Sequence, residues 1–343
     1  MSSTPKAGPR RRQVVAAVAF LVVSLALGLE GFSLAAVHLA PGWLGQEIRR
    51  TPEIFQAQSK ALESMFHPRP EALGQFDATL GWRPKPGTWT DLDRINSQGL
   101  RSSHDYSRLP LGAKRIAVFG DSFVYGSEVS GEETWPRVIE RNFTGLEVLN
   151  YGVPGYGPDQ AYLRFVTEGS SLSPTVVVLG IATPSMERLL SVVGTFRARL
   201  VVTKPRYVLG DGGRLILVPN PIRNASEAER IREHPREILA FGALDYWYEP
   251  LIYENPFYDY SATVRLLSTL WGRFNKRYLD PERPLAGPPG RGVFNENSTA
   301  FRILTRIIED FVERARERTT ETAVSRSLLI AIAHRFRGLF QIR

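Results

Sequence analysis

The 343-residue sequence contains no cysteine. This absence excludes disulfide bonds, catalytic thiolates, and zinc or iron–sulfur sites that depend on cysteine ligands. It does not define the cellular compartment, although a cysteine-free chain is well suited to an oxidising cell envelope. No group of residues has the spacing of a metal site. We therefore expect neither a metal ion nor a cofactor.

Acidic residues are fewer than basic ones, with 35 Asp and Glu against 43 Lys and Arg, so the net charge is +8. A basic chain raises the question of nucleic-acid binding. However, its arginines are scattered and form no repeated basic and aromatic platform. Many of them lie beside acidic residues, as solvated helix faces do. We expect no nucleic-acid partner, whereas attraction to an anionic membrane or glycan remains open.

Only one apolar run is long, and it lies near the amino terminus. Residues 14–39 are almost uncharged, Glu30 being the one interruption, and a basic cluster at 10–12 precedes them. Because about 20 apolar residues span a bilayer, this pattern predicts an uncleaved transmembrane anchor behind a cytoplasmic tail, residues 1–13. A signal peptide cleaved near 35–36 is the competing interpretation. Both place the main domain on the periplasmic or extracellular side.

Short apolar strands alternate with amphipathic helices through the rest of the chain. The sequence predicts strands at 115–119, 146–150, 175–181 and 327–333, and helices at 134–142, 158–168 and 298–318. Alternation at this pitch is typical of an α/β fold, a flavodoxin-like, doubly wound parallel sheet with helices on both faces.

The predicted sheet is interrupted by an inserted subdomain, which sets the expected domain plan. That plan is an approach segment at 40–110, a first part of the core at 111–193, an insertion or cap at 194–297, and a second part of the core at 298–343. Within the insertion, two apolar runs flank Asp211–Gly213, which predicts a β-hairpin.

Two glycine-containing motifs follow neighbouring strands. The first is Gly120-Asp121-Ser122, and the second is NYGVPGYGPDQ, residues 150–160. A serine at the carboxyl end of a buried strand is placed to act as a nucleophile. We expect Asp121 to brace the turn through hydrogen bonds to backbone. The glycines allow close approach of the main chain, so the amides of Ser122 and Gly155 could form an oxyanion hole.

This pair of motifs resembles the SGNH (GDSL-type) hydrolase family, in particular its membrane-anchored envelope branch, over about residues 95–182. The resemblance implies the SGNH hydrolase fold, with Ser122 as nucleophile and Ser122 and Gly155 as oxyanion donors. It also implies an esterase, or an enzyme of O-acetyl transfer or deacetylation on envelope glycans, working through an acyl-enzyme. An acylated polysaccharide, or another ester, is then the expected substrate.

Two further parts of the family's machinery are not found in this sequence. The family places an oxyanion asparagine after its third strand, but no asparagine lies between Val176 and Pro219. Thr183 and Ser185 are the hydroxyl groups that could donate in its place. The family's Asp-x-x-His is also missing, because no aspartate stands three residues before any of the five histidines. His334, directly after the predicted fourth strand, is the remaining candidate for the general base.

These gaps keep other interpretations open. One is an inactive SGNH-like protein that binds glycan or an envelope partner through the same groove. The aromatic segment 246–260 could stack on sugar rings, although packing is the commoner use of such residues. Another is a truncated, non-functional product, because the family has a fifth strand and this chain stops ten residues after the fourth.

Overall fold

The computed structural model describes residues 9–40, 42, 48–110, 114–197, 202–286, 293–318 and 329–333. The α-helices are α1 Pro9–Leu39, α2 Thr51–Phe66, α3 Ser122–Tyr125, α4 Trp135–Asn142, α5 Pro158–Glu168, α6 Ala225–Glu233, α7 Pro250–Tyr253, α8 Ala262–Phe274 and α9 Thr299–Arg318. The strands are β1 Gly74–Asp77, β2 Gly81–Pro84, β3 Lys114–Gly120, β4 Leu146–Gly152, β5 Val176–Ala182, β6 Arg206–Leu209, β7 Leu215–Val218, β8 Leu285–Ala286, β9 Val293–Phe294 and β10 Leu329–Ala333. Short 3₁₀ helices cover Gly131–Glu133, Thr183–Leu190, Gly194–Arg197, Asp211–Gly213 and Pro235–Leu244, and a π-helical turn covers Asn275–Leu279.

A four-stranded parallel sheet, in the order β10-β5-β3-β4, forms the centre of the fold. Its strands are rich in valine, leucine and isoleucine, as expected of strands that are buried on both faces. All four predicted strands are found within two residues of their expected positions, so the mixed α/β class with a parallel sheet is confirmed. The flavodoxin-like assignment stays a prediction.

Successive residues of each strand point to opposite faces of this sheet, and both faces are buried. On one face, Val118, Val148 and Val178 form a cluster with Val124. On the other face, Phe119 and Leu179 pack in the main core, to which α5 and α9 contribute. The predicted helices at 134–142, 158–168 and 298–318 correspond to α4, α5 and α9, and the two faces are covered as the alternation predicted.

Between β5 and α9, the described residues form irregular structure, short strands and helices of at most 13 residues. Strands β6 and β7 make an antiparallel hairpin around Asp211–Gly213, which confirms the predicted turn. The approach segment contains a second antiparallel pair, β1 and β2. The predicted bounds of the insertion are not tested by these elements and stay a prediction.

The chain divides into two compact units. One contains the described residues up to Ile54 together with Glu249–Lys276, and the other contains the rest, including the sheet. No sequence pattern predicted that Glu249–Lys276 would pack with the amino-terminal helix. Within that helix, the 28 residues Arg12–Leu39 are long and apolar enough to cross a membrane, a property that signal sequences share.

Candidate active site

The predicted nucleophile lies in a strand–turn–helix unit. Strand β3 ends at Gly120, and Ser122 is the first residue of the one-turn helix α3. The carboxylate of Asp121 accepts a hydrogen bond from the backbone nitrogen of Phe123 at 3.0 Å. This is an N-cap interaction, which satisfies an amide that the helix itself leaves unpaired. The expectation that Asp121 braces the turn is therefore confirmed.

Helix α3 packs against three glycines, one from each of the strands β3, β4 and β5. A Cβ atom on Gly120 or Gly180 would lie 2.3 or 2.4 Å from Cγ2 of Val124. A Cβ atom on Gly152 would lie 2.3 Å from the backbone nitrogen of Tyr125. Real Cβ contacts are never this short, so only glycine permits this approach. These three residues, the glycine seat, fix α3 at the carboxyl ends of the sheet.

The second motif packs directly against the first. The backbone nitrogen of Val153 donates to the carbonyl oxygen of Gly120 at 3.0 Å. The side-chain amide of Asn150 donates to the carbonyl oxygen of Tyr125 at 3.2 Å. Gly155 has a φ of +85°, in the left-handed region that favours glycine. The two loops are therefore held together by hydrogen bonds to the backbone carbonyl oxygens of Gly120 and Tyr125.

Two amide groups at this junction have no partner among the described residues. Neither the N–H of Ser122 nor that of Gly155 donates a hydrogen bond to any described atom. An N–H in the first turn of a helix lacks an intrahelical acceptor and commonly binds an anion or a polarised oxygen. Both amides are thus available to an oxygen atom of a ligand.

Arg188 lies between the two loops, and sequence reasoning did not identify it. Its Nη1 donates to the carbonyl oxygen of Tyr156 at 2.7 Å and lies 3.6 Å from Oδ2 of Asp121. Burial raises the pKa of Asp121 above its ordinary value, although the Phe123 amide and the Arg188 charge both oppose this shift. Arg188 therefore links the two motifs, through the carboxylate of one and a carbonyl oxygen of the other. The only sequence signal was an arginine shortly after the third strand.

The 3₁₀ segment after β5 supplies the hydroxyl groups that were considered as substitutes for asparagine. The hydroxyl of Ser185 donates to the carbonyl oxygen of Ala182 at 2.6 Å, so its proton is already used. The hydroxyl of Thr183 is buried and has no hydrogen-bond partner among the described residues. Of the two, only Thr183 still has a proton to donate.

The approach segment holds the ends of both loops. Arg101 is buried, and its guanidinium donates to the carbonyl oxygens of Tyr125 and Val129, each at 2.8 Å. It also forms an ion pair with Asp93. Because Tyr125 ends the one-turn helix that begins with Ser122, Arg101 positions that helix from outside the two motifs.

A second contact from the approach segment fixes the glycine-rich loop. The indole nitrogen of Trp82 donates to the carbonyl oxygen of Pro154 at 3.1 Å. The hydroxyl of Tyr156 donates back to the carbonyl oxygen of Trp82, and the two rings meet edge to face. Gly155 is therefore flanked on both sides by residues that are tied to Trp82.

The structure does not identify a base for Ser122. His334, the candidate from the sequence, lies outside the described residues. In the unit that contains the sheet, the described histidines, at 67, 104 and 234, make no hydrogen bond with Ser122. Among the residues described, no group of three or more His, Asp and Glu side chains could hold a metal ion.

No protein-family model matches the chain, and no curated protein matches it. Among solved structures, the SGNH-hydrolase family esterase AlinE4 aligns at 22% identity over 25% of this chain and 49% of its own, with a TM-score of 0.21. The chain thus spans about half the length of that esterase. A lipolytic protein of the G-D-S-L family from Desulfitobacterium hafniense DCB-2 aligns at 12% identity over 58% of this chain and 99% of its own, also with a TM-score of 0.21. Such TM-scores do not assign the chain to a family.

Proposed function

We propose that this chain is a serine hydrolase or O-acyl transferase of the SGNH type, with Ser122 as its nucleophile. The observation that carries the proposal is the glycine seat. It places the first turn of α3 at the carboxyl ends of three parallel strands, where α/β folds bind their ligands. A serine that only capped a helix would not require three glycines in close contact with that helix, two with the Val124 side chain and one with the Tyr125 backbone.

The proposed reaction begins at an ester. Ser122 Oγ attacks the carbonyl carbon while a base takes the hydroxyl proton, and the amides of Ser122 and Gly155 bind the oxyanion that forms. The bond between carbon and the alcohol oxygen then breaks, and the alcohol leaves with a proton. Water or a sugar hydroxyl attacks the acyl-enzyme, which releases an acid or a new ester and returns the proton to Ser122.

Thr183 is the best candidate for the third oxyanion donor. Its hydroxyl is buried without a described partner at the end of β5, the strand that contributes Gly180 to the glycine seat. Leaving a buried hydroxyl unpaired costs about 1–3 kcal/mol. A bound oxyanion would satisfy it.

We retain His334 as the base, on its position directly after β10. For the substrate we retain an acyl group on an envelope glycan.

A second candidate function is a non-catalytic protein that binds such a glycan in the same place. The observation that favours it is that Ser122 Oγ has no hydrogen-bond partner among the described residues. A nucleophilic serine is normally paired with its base, although this contact is often long before substrate binds.

Covalent labelling distinguishes the two candidates. The full chain, purified in detergent, is treated with a fluorophosphonate probe, with Ser122→Ala as the test variant and Ser127→Ala, an exposed serine one turn away, as the matched control. The proposal expects labelling of the natural chain and of Ser127→Ala, and none of Ser122→Ala. If the folded natural chain is not labelled, the hydrolase is excluded and the binding protein is favoured.

We further propose that α1 spans a membrane with its amino terminus in the cytoplasm, so that the sheet lies outside. The support is the apolar stretch Arg12–Leu39 and the basic cluster before it. Reporter fusions test the topology. An alkaline phosphatase fused after Arg318 should be active, because it would lie outside the cytoplasm. A green fluorescent protein fused at the same place should not fluoresce when the fusion is exported by the general secretion route.

A further inference from the structure

Helix α8 exposes four large apolar side chains, whereas its buried residues are small or polar. The exposed fractions are 60% for Leu267, 42% for Leu270, 53% for Trp271 and 47% for Phe274. These positions are spaced i, i+3, i+4 and i+7, which places them on one side of a helix. They form a continuous surface, which we call the α8 apolar face.

The opposite side of α8 has the composition that usually faces water. Its buried residues are Ala262, Arg265, Ser268, Thr269 and Gly272. Thr269 lies 3.1 Å from the hydroxyl of Tyr258, and a Cβ on Gly272 would meet the Glu249 carboxylate at 2.9 Å. In a water-soluble helix the pattern is the reverse, as in α9, where Ile303, Ile307 and Phe311 are buried. This inversion is expected where the surrounding medium is lipid.

The start of α8 is joined to the apolar helix α1. The carboxylate of Glu30 accepts a hydrogen bond from the hydroxyl of Ser261 at 2.7 Å, and others from the backbone nitrogens of Ala262 and Thr263. The hydroxyl of Thr263 donates to that of Ser33 at 3.0 Å. A carboxylate at a helix N-terminus pairs with its unpaired amides and with its dipole. The N-cap residue of α8 is Ser261, whose hydroxyl oxygen accepts from the backbone nitrogen of Val264 at 3.2 Å. Glu30, the one acidic residue in the apolar run, adds to this cap from α1.

The position of Glu30 sets the depth of this contact. From Arg12 to Glu30 the helix rises about 27 Å at 1.5 Å per residue. A hydrocarbon core is about 30 Å thick. If Arg12 lies at the cytoplasmic boundary, Glu30 and the start of α8 lie at the outer one. Tryptophan is enriched at this level of membranes, and Trp271 belongs to the α8 apolar face.

We propose that α8 is a second membrane-contacting element, whose apolar face inserts into the lipid at the outer boundary beside α1. The lipid-facing surface of α1 continues into it through the Glu30 and Ser33 contacts. Cleavage near 35–36 would remove Glu30 and Ser33, and with them four hydrogen bonds at the start of α8, so we expect α1 to be retained in the mature protein. This proposal rests on α1 lying in a membrane and is independent of whether Ser122 is catalytic.

The absence of natural cysteine permits a direct test on the full chain. Single variants Leu267→Cys and Trp271→Cys are labelled with nitrobenzoxadiazole and placed in phosphatidylcholine nanodiscs. Leu25→Cys in α1 is the lipid-exposed control, and Ser226→Cys on the exposed surface of α6 is the water-exposed control. We expect doxyl-labelled lipid to quench the probe at 267 and 271 as strongly as at 25, and iodide to quench it only at 226.

Three outcomes would overturn the proposal. Quenching by iodide at 267 and 271 would place the face in water. Protection from both quenchers would mean that protein covers it. A disulfide between two copies of Trp271→Cys would identify that protein as a second copy of this chain.

A second measurement tests the contact between α1 and α8. We expect the double variant Ser33→Cys/Thr263→Cys to form an internal disulfide on mild oxidation, seen by mass spectrometry as a linked pair of peptides. The combination of Ser33→Cys with Thr269→Cys is the matched control and should not be linked. A mature chain that lacks residues 1–35 would refute the retention of α1.

Discussion

The guanidinium carbon of Arg101 lies 4.3 Å from the ring centre of Tyr125, and Arg101 Nη1 donates to the Tyr125 carbonyl oxygen at 2.8 Å. Arg101 belongs to the approach segment, whereas Tyr125 ends the helix that begins with Ser122. The cation therefore stacks on the side chain and pairs with the backbone of one residue. This contact fixes the far end of α3, as Asp121 fixes its start.

Removing Arg101 should therefore disturb the whole turn. Arg101→Met leaves buried carbonyl oxygens and Asp93 without their partner, and losing one member of a buried ion pair costs about 3–5 kcal/mol. We expect a clear fall in the melting temperature, which can be measured by tryptophan fluorescence in detergent. Arg101→Lys should recover only part of the lost stability, because an ammonium group lacks the planar arrangement of donors of a guanidinium. Arg94→Met, an exposed neighbour, is the control, and an equal loss there would contradict this role.

The sequence was sufficient to predict the elements that form the sheet and the two loops. Apolar runs such as Ile116–Phe119 are buried on both faces, so their pattern is set by local composition. The turn after β3 was also predictable, because Asp121 acts through its immediate neighbours. Local signals of this kind identify elements and caps.

Contacts between distant parts of the chain could not be predicted in this way. Arg101 reaches Tyr125 across 24 residues, and Arg188 reaches Tyr156 across 32. In the sequence, Arg101 and Arg188 cannot be told from any solvated arginine, because only the fold brings them to the two motifs. Gly180 left a weaker signal, a glycine inside an apolar strand, which often marks a close backbone approach. The pairing of Glu30 with α8 spans more than 230 residues and left no local signal.

The glycine seat makes a steric prediction. In Gly152→Ala the new methyl group would overlap the backbone of Tyr125, and overpacking of this kind costs about 1–3 kcal/mol or more. We expect a lower melting temperature together with the loss of fluorophosphonate labelling, because α3 must move. Gly145→Ala provides the control, since its φ is +76° but no atom lies within 4 Å. That variant bears only the backbone strain, about 1–2 kcal/mol, and should keep its labelling.

Asp121 predicts a particular dependence of stability on pH. Burial raises its folded-state pKa above the unfolded value of about 3.9, so the folded protein binds this proton more tightly. Stability from this group is therefore gained as the pH falls through the raised pKa, and lost as it rises. Asp121→Asn keeps an oxygen for the Phe123 amide and removes the charge.

The difference in melting temperature between Asp121→Asn and the natural chain should accordingly change with pH. We expect the melting temperature of the variant to exceed that of the natural chain by the largest amount near pH 7–8. This difference should shrink as the pH is lowered towards 4. Parallel thermal scans across this range measure it. A difference that grows at low pH would mean that Arg188 outweighs burial and holds the carboxylate ionised.

The hairpin is joined to α5 by a buried ion pair. Nζ of Lys204 lies 2.5 Å from Oδ2 of Asp159 and also donates to the carbonyl oxygens of Ser191 and Pro205. Lys204→Met would leave a buried carboxylate unpaired, and we expect a loss of about 3–5 kcal/mol. Adding Asp159→Asn should restore part of it by removing that charge. Lys60→Met, at an exposed position, should stay within about 0.5 kcal/mol. Additive losses in the double variant would show that the two side chains are not coupled.

Thr183 predicts opposite effects on stability and on chemistry. Thr183→Val keeps the shape of the side chain and removes a buried hydroxyl that has no described partner, so the melting temperature should be unchanged or higher. If that hydroxyl donates to the oxyanion, ester turnover by the same variant should fall about 10²-fold. Ser185→Ala is the matched control, because the Ser185 hydroxyl already donates to Ala182. It should lose about 1 kcal/mol of stability and little turnover.

Unchanged turnover in Thr183→Val would remove Thr183 from the oxyanion hole, while a lower melting temperature would show that its hydroxyl has a structural partner instead. The proposed role is supported only if Thr183→Val keeps its melting temperature and loses ester turnover.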